Sequence, residues 1–437
     1  MKPDDLQRFF KVCNPAYTID VAKAEDKQYY IDFSSVRGGE IIEELARSIA
    51  IFSPNESTCQ LFTGHIGCGK STELLRLKKR LEDAGFHVVY FESSQDLDMA
   101  DVDISDILLA IAKQVFESLE AVEIKLKPRY FERLFGEVKD FMKTPIDLSW
   151  TSEFSTPIGK ITAKTKDNPS VRKELRQYLE PRTDNILESI NDELLKSADE
   201  KLKQAGKKGL VVLVDNLDRV DSSPKVGERM QPEYLFIDRG EQLRRLNCHL
   251  VYTIPLGLIF SNEYNVLVNR MGGGVDAKVL PMVPVQSRDG KEFSKGMELL
   301  REMVLVRAFP KLNRDEQINS IAEVFDSLET LDRLCRVSGG HVRNLLGLLY
   351  SCIQKKDPPI GQNTLETVIK ERRNQLMRGI KTDDWELLRK VKEEKTLGQG
   401  SLYQTLLRSM FVFEYRDDDG PWFDLNPILA DAKQLNP

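Results

Sequence analysis

Histidine is scarce, with four in 437 residues. His65, His87, His249 and His341 do not fall at metal-ligand spacing. The six cysteines, Cys13, Cys59, Cys68, Cys248, Cys335 and Cys352, stand far apart with no CxxC pair. That spacing excludes a zinc-site pattern and predicts reduced thiols in a cytoplasmic protein. No apolar run is long enough to span a bilayer, so no membrane partner is expected. The opening MKPDDLQRFFKVCNPAY carries early acids and lacks an apolar core, which excludes a signal peptide. Neither sign of charge dominates: 63 Lys and Arg face 69 Asp and Glu, for a net charge of −6. No global field therefore draws the chain to nucleic acid. Internal repeats and low-complexity tracts are also missing.

What is present is the composition of a folded globular chain, 41% hydrophobic and 30% charged. Short apolar runs predict strands at Cys59–Thr63, His87–Phe91, Leu210–Val214, His249–Ile254 and Val279–Val285, of the kind a sheet covered on both faces uses. A helix is predicted over Lys70–Ala84, ended by Gly85. Residues 1–45 read as a lead-in with a polar start, a strand-like Tyr29–Phe33 and a helix from about Gly39. The core is expected over residues 46–290. An insertion at about 120–208 holds helices, among them Arg172–Gln204, and a hairpin over residues 145–167. The spacing of leucines and isoleucines predicts four helices between Lys295 and Lys355 and a fifth near Leu365–Arg378, a lid over residues 291–380. Residues 381–437 read as helix, short helix and a hairpin turning at Asp417–Gly420, the order of a winged helix.

Gly64-His65-Ile66-Gly67-Cys68-Gly69-Lys70-Ser71 matches G-x-x-x-x-G-K-[ST] in full, with an apolar strand before it and a helix after it. Its glycines let the backbone curl so that N–H groups hold phosphate oxygens, and the helix N-terminus adds its dipole. The whole cradle is Gly64, His65, Ile66, Gly67, Cys68, Gly69, Lys70, Ser71 and Thr72. Lys70 reaches the β- and γ-phosphates, and Ser71 offers its hydroxyl to Mg²⁺. Leu210–Asp215 is the second element: a buried strand with Asp215 at the C-terminal edge, where ligands bind in α/β sheets and where it can hold Mg²⁺. ATP and Mg²⁺ are the expected cofactors. ATP and GTP stay open, since no guanine-reading N/T-K-x-D pattern stands out.

The string Asp215-Asn216-Leu217-Asp218-Arg219 resembles the D-D-L-D-R and D-x-x-D forms of the KAP and STAND families and of the related Orc-type AAA+ ATPases. The order of parts over residues 30–437 is similar too. The resemblance implies an α/β P-loop NTPase core with a parallel sheet, a helical insertion, an all-α lid and a C-terminal winged helix. It implies a sensor at Thr253, a lid arginine at Arg343 in Ser338–Arg343, and an arginine finger at Arg270, with Arg239, Arg244 and Arg245 as rivals. Many AAA+ enzymes carry Glu directly after the metal-binding Asp to orient the attacking water. Asn216 stands there in this chain and cannot act as a base; Asp218 is the substitute the pattern allows. The resemblance thus implies an ATP hydrolase that is slow, or an ATP-binding protein with little turnover.

Residues 383–437 carry seven basic and eleven acidic side chains, and the hairpin tip is Asp417-Asp418-Asp419. Phosphate contact dominates DNA affinity, so an acidic tip favours a protein contact. Lys160, Lys164, Lys166, Arg172, Lys173 and Arg176 form a local basic run in the insertion, read as a solvated mixed face. The expected function is a STAND-like, nucleotide-controlled switch that forms a nucleotide-dependent homo-oligomer and works on a protein partner or effector in trans, by analogy in bacterial defence. The alternative is an Orc-like DNA-associated initiator or loader.

Overall fold

The computed structural model describes residues 1–126, 129–141, 162, 166, 168–227 and 229–435. The expected hairpin at 145–167 lies outside the described residues apart from Thr162 and Lys166, as do Lys160 and Lys164. Two compact units are present. One holds Met1–Ile41, Gly64–Arg76 and Val279–Pro437; the other holds Ile42–Thr63 and Leu77–Lys278.

The second unit carries the sheet strands β1 (Cys59–Gly64, whose last residue passes into the first unit), β2 (His87–Glu92), β3 (Leu210–Asp215) and β4 (His249–Thr253). They lie side by side in the order β2-β3-β4-β1, all parallel. Every residue of β3 is buried, which explains its unbroken apolar run: a parallel strand covered on both faces has no solvent side to make polar. The helix α1 (Lys70–Asp83) follows β1, and α2 (Ile104–Ala121) follows β2. Asp103 and Asp106 form a capping box at the start of α2, and Ile104–Ala112 is buried without interruption, so this helix runs through the core. It shares one hydrophobic cluster with Val171, Leu175, Ile186, Leu187, Leu194 and Leu202 and with Val212 and Val214 of β3.

The helix expected over Arg172–Gln204 is segmented: Pro169–Leu179, a 3-10 turn at Glu180–Arg182, then further helical pieces to Gln204. Pro181 lacks the N–H an unbroken helix needs. The two arginines of the basic run are paired, while Lys173 is exposed. Arg172 pairs with Asp98 and Asp101, and Arg176 pairs with Asp101 and Asp106.

The first unit is built on α3 (Ser294–Ala308), α4 (Leu328–Ser338), α5 (Val342–Lys355) and α6 (Gln362–Met377), with α7 (Thr382–Glu394), α8 (Ser401–Arg408) and the antiparallel hairpin β6 (Val412–Asp417) and β7 (Gly420–Leu425). The last strand expected before these helices is shorter than its apolar run: β5 (Lys278–Leu280) stops before Pro281. Tyr29–Phe33 is not a strand. Asp32 accepts a hydrogen bond from the Ser34 N–H at 2.8 Å and turns the chain into a 3-10 turn, while Tyr29 and Phe33 serve as buried anchors. The polar start also hides a helix, Pro3–Val12. Phe9 and Cys13 enter the same core as α3 to α6, and Phe10 stacks on Tyr350 with centroids 4.2 Å apart. Among the described residues no helix is long and apolar enough to cross a membrane.

Candidate functional site

The loop Gly64–Lys70 lies in the first unit, and its backbone carbonyls are all spoken for. Lys70 Nζ donates to the carbonyls of Gly64 at 2.7 Å and His65 at 2.9 Å. His341 Nε2 donates to Ile66 O at 2.9 Å, the Arg343 N–H to Gly67 O at 3.1 Å, and Arg37 Nη2 to Cys68 O at 2.9 Å. The Glu73 N–H takes Gly69 O at 3.1 Å as the first bond of α1. In a planar trans peptide, C=O of one residue and N–H of the next point opposite ways. Holding the Ile66 and Cys68 carbonyls toward His341 and Arg37 therefore turns the Gly67 and Gly69 N–H groups the other way. That is how an anion cradle is wired. Gly67 has φ +91°, and a Cβ there would come within 2.8 Å of Arg343 Cβ, so α5 approaches where only glycine fits.

The C-terminal hairpin touches the same loop. The Glu414 N–H donates to His65 Nε2 at 3.0 Å, and the Phe413 ring packs between His65 and His341, 5.7 and 5.6 Å from each. His341 also caps α5: its Nδ1 accepts from the Asn344 N–H at 3.1 Å. With Nδ1 accepting and Nε2 donating, the ring is neutral, and burial pushes its pKa down to about 3. Burial drives His65 well below its ordinary value as well. Glu414 moves the other way: burial pushes its carboxyl up to about 8, and its Oε2 has no hydrogen-bond partner among the described residues.

These three groups set a pH dependence. An unfolded histidine binds its proton near pH 6.5, which the two folded rings refuse, so acid below about 6.5 destabilises by up to ~1.4 kcal/mol per pH unit per ring. The folded Glu414 keeps a proton that the unfolded carboxyl releases near 4.5, so its contribution is full in acid and is lost as pH rises to about 8. Burial holds His249 and His87 low as well, so below 6.5 the histidines together outweigh the raised carboxyl, and above it the carboxyl prevails. The midpoint of unfolding should peak near pH 6.5 and fall on both sides; urea titrations at pH 5, 6.5 and 8 check this, and a midpoint higher at pH 5 than at 6.5 contradicts it.

The acidic residues lie in the second unit. Asp215 is 1% exposed at the end of β3. Tyr90 OH donates to its Oδ2 at 2.9 Å, its Oδ1 accepts from the Asn216 N–H at 2.7 Å, and Ser93 Oγ donates to its carbonyl at 2.8 Å. Asn216 is left-handed, φ 64°, and its Nδ2 donates to Glu92 Oε2 at 3.1 Å and to Ser94 Oγ at 3.2 Å. Asp218 is buried in the 3-10 turn Leu217–Arg219. Thr253 Oγ1 donates to Val214 O at 3.3 Å and accepts from the Leu217 N–H at 3.0 Å, so its only O–H holds the turn after β3. Arg270 donates to Ile237 O at 3.0 Å; Arg239 bonds Tyr234 and Gln242, Arg245 pairs with Asp184, and Arg244 packs on Gly273. Within each unit the structure brings Lys70 together with Arg343, and Asp215 with Thr253. Tyr90, Glu92, Arg37 and Glu414 join them without having been read as site residues.

A parallel sheet, a glycine loop opening a helix, and a carboxylate at the tip of a second buried strand define a P-loop NTPase domain. More narrowly, residues 39–226 match the KAP family P-loop domain. No curated protein matches the chain. Among solved structures, the chain is similar to the Aeropyrum pernix ORC2 protein in ADPNP–ADP complexes (13% identity, 98% of this chain and 95% of that one, TM-score 0.45). It is similar to Cdc6p from Pyrobaculum aerophilum (12%, 98% and 96%, TM-score 0.39) and to the Aeropyrum pernix ORC1 protein in complex with DNA (14%, 89% and 92%, TM-score 0.37).

Proposed function

We propose that this chain is an ATP-binding, Mg²⁺-dependent P-loop ATPase that works as a nucleotide-controlled regulatory switch. The observation that carries the reading is the wiring of Ile66 and Gly67. Their carbonyls are held by His341 and the Arg343 N–H of the helical segment, so a change in loop conformation is felt directly by α5. Loop amides and Lys70 bind the triphosphate tail, Ser71 and Asp215 hold the metal, and the Arg343 side chain answers the γ-phosphate. The loop amides are turned as a phosphate cradle requires, and Asp215 offers a buried carboxylate that would suit the metal; Mg²⁺ would neutralise charge on the triphosphate. A switch of this kind works only if its two states differ in nucleotide affinity.

The partner is a protein in trans rather than DNA, and nucleotide-dependent self-association accompanies binding. Val412–Leu425 is read as the wing of a winged helix. Asp418 and Asp419 are exposed at its tip, and Arg288 is spent on Asp417 at 2.8 Å. Such a tip repels phosphate.

The test is equilibrium binding of ATP with Mg²⁺ and with EDTA, with phosphate release followed in parallel. Wild type should bind more tightly with Mg²⁺. Asp215→Asn should weaken Mg·ATP roughly tenfold and leave metal-free ATP binding alone, as loss of one charged contact predicts. Equal affinities for wild type and variant in Mg²⁺ would remove Asp215 from the site.

A further inference from the structure

The carboxylate expected after Asp215 is missing, because position 216 is asparagine. The structure shows what that asparagine does: its Nδ2 donates to Glu92 Oε2 at 3.1 Å. Glu92 is the last residue of β2, and it stands opposite Asp215 in the parallel β2–β3 register. The two side chains therefore sit at the same C-terminal edge of adjacent strands, the edge where α/β sheets bind ligands. We propose that Glu92 is the carboxylate that orients the attacking water, and that Asn216 is the residue that positions it. This rests on the ATPase reading above and deepens it.

Three carboxylates compete for the role. Asp215 is buried, and both its oxygens already accept, from Tyr90 OH and from the Asn216 N–H. Asp218 is buried in its turn. Glu92 alone of the three is half-exposed, so water reaches it. Its Oε2 is fixed by Asn216 and by Gln95 Nε2 at 3.4 Å. Holding one oxygen of a carboxylate by donors sets the plane in which the other can accept from a water molecule. The left-handed backbone at Asn216 serves the same end: asparagine tolerates φ 64° well and carries an amide donor that glycine lacks.

In the reaction, the water oxygen forms a bond to the γ-phosphorus as the bridging Pγ–O bond breaks. ADP leaves with the electron pair. The proton lost by the water passes to the Glu92 carboxylate and from there to solvent, leaving inorganic phosphate. Positioned general bases contribute typically about 10²–10⁴-fold.

Glu92→Gln is the sharp variant, because glutamine keeps an oxygen for Asn216 Nδ2 and loses only the charge and the basicity. Its kcat should fall at least about a hundredfold while the Kd for Mg·ATP stays within about threefold, and ATP should remain unhydrolysed in the isolated complex. Asn216→Gly keeps the left-handed backbone and removes the donor; kcat should fall roughly tenfold, with affinity retained. The exchange Glu92→Asn with Asn216→Glu moves the carboxylate one strand over and should restore at least about tenfold of the turnover that Glu92→Asn alone loses. Glu92→Gln turning over like wild type overturns the proposal. So does loss of turnover in Asp218→Asn with Glu92→Gln active. A wild-type protein that fails to bind Mg·ATP sinks the ATPase reading as well, whereas one that binds and hydrolyses while ignoring Glu92 sinks only this inference. Circular dichroism of each variant separates a folding defect from a catalytic one, and Asn216→Gly decides the matter should Glu92→Gln not fold.

Discussion

Gly340→Ala is expected to unfold the unit that carries the P-loop, at a cost of about 4 kcal/mol or more. Gly340 has φ +69°, and a Cβ built on it would overlap the Val283 carbonyl oxygen outright. Neither side of that contact can yield cheaply. Val283 is fully buried in the core formed by α3 to α6. Gly340 is followed by His341 and Arg343, both bonded to the loop. Shifting the glycine would therefore pull on Ile66 and Gly67 as well. A control sits seven residues on: Gly347, inside α5, has open space around its Cβ position, and Gly347→Ala should be neutral or stabilising by up to ~1 kcal/mol. Urea unfolding of the two variants beside wild type measures the difference. A Gly340→Ala midpoint within error of wild type would mean that the Val283 backbone is far softer than its burial implies.

How much of this was legible in the sequence depended on how local the signal was. The cradle Gly64–Ser71 and the strand ending at Asp215 are each contiguous strings set by spacing, and the strand before the first and the whole of the second form as read. The helices of the first unit were legible because their leucines repeat at helical spacing. The clamp on the loop was not. It joins Ile66 to His341 and His65 to Glu414 across 275 and 349 residues, and no periodicity in one window can encode such a pairing. Glu92 was missed for a related reason: a lone glutamate after an apolar strand is ordinary until the neighbouring strand brings Asn216 against it. The one available signal was the anomaly itself, an amide where a carboxylate was expected. The opening helix was a miss of a different sort. Leu6, Phe9, Phe10 and Cys13 already stood at helical spacing, and the early charges of the segment obscured them. Arg172 and Arg176 read as part of a solvated mixed face because their partners Asp98, Asp101 and Asp106 lie some seventy residues earlier.

Lys70→Ala should weaken Mg·ATP binding by at least about a hundredfold, since a charge-assisted contact to two phosphates is worth roughly 3 kcal/mol or more. The effect on folding should be distinct and smaller. In the structure Lys70 is 5% exposed and its ammonium donates to the carbonyls of Gly64 and His65. Removing it costs both carbonyls their ammonium, although His65 O keeps the Cys68 N–H at 3.2 Å, for a loss of about 1–2 kcal/mol. The two effects separate in one experiment: thermal unfolding without nucleotide reports the carbonyls, and the upward shift on adding Mg·ATP reports the phosphates. Wild type should shift strongly, and Lys70→Ala should lose nearly all of that shift while starting only a few degrees lower. Lys70→Arg tests geometry instead of charge. A planar fork on a longer stem does not reproduce a compact ammonium between two carbonyls, so it should recover part of the unliganded stability and little of the nucleotide shift. A full nucleotide shift in Lys70→Ala would show that the triphosphate tail does not depend on this lysine, and the switch built on it would go with it.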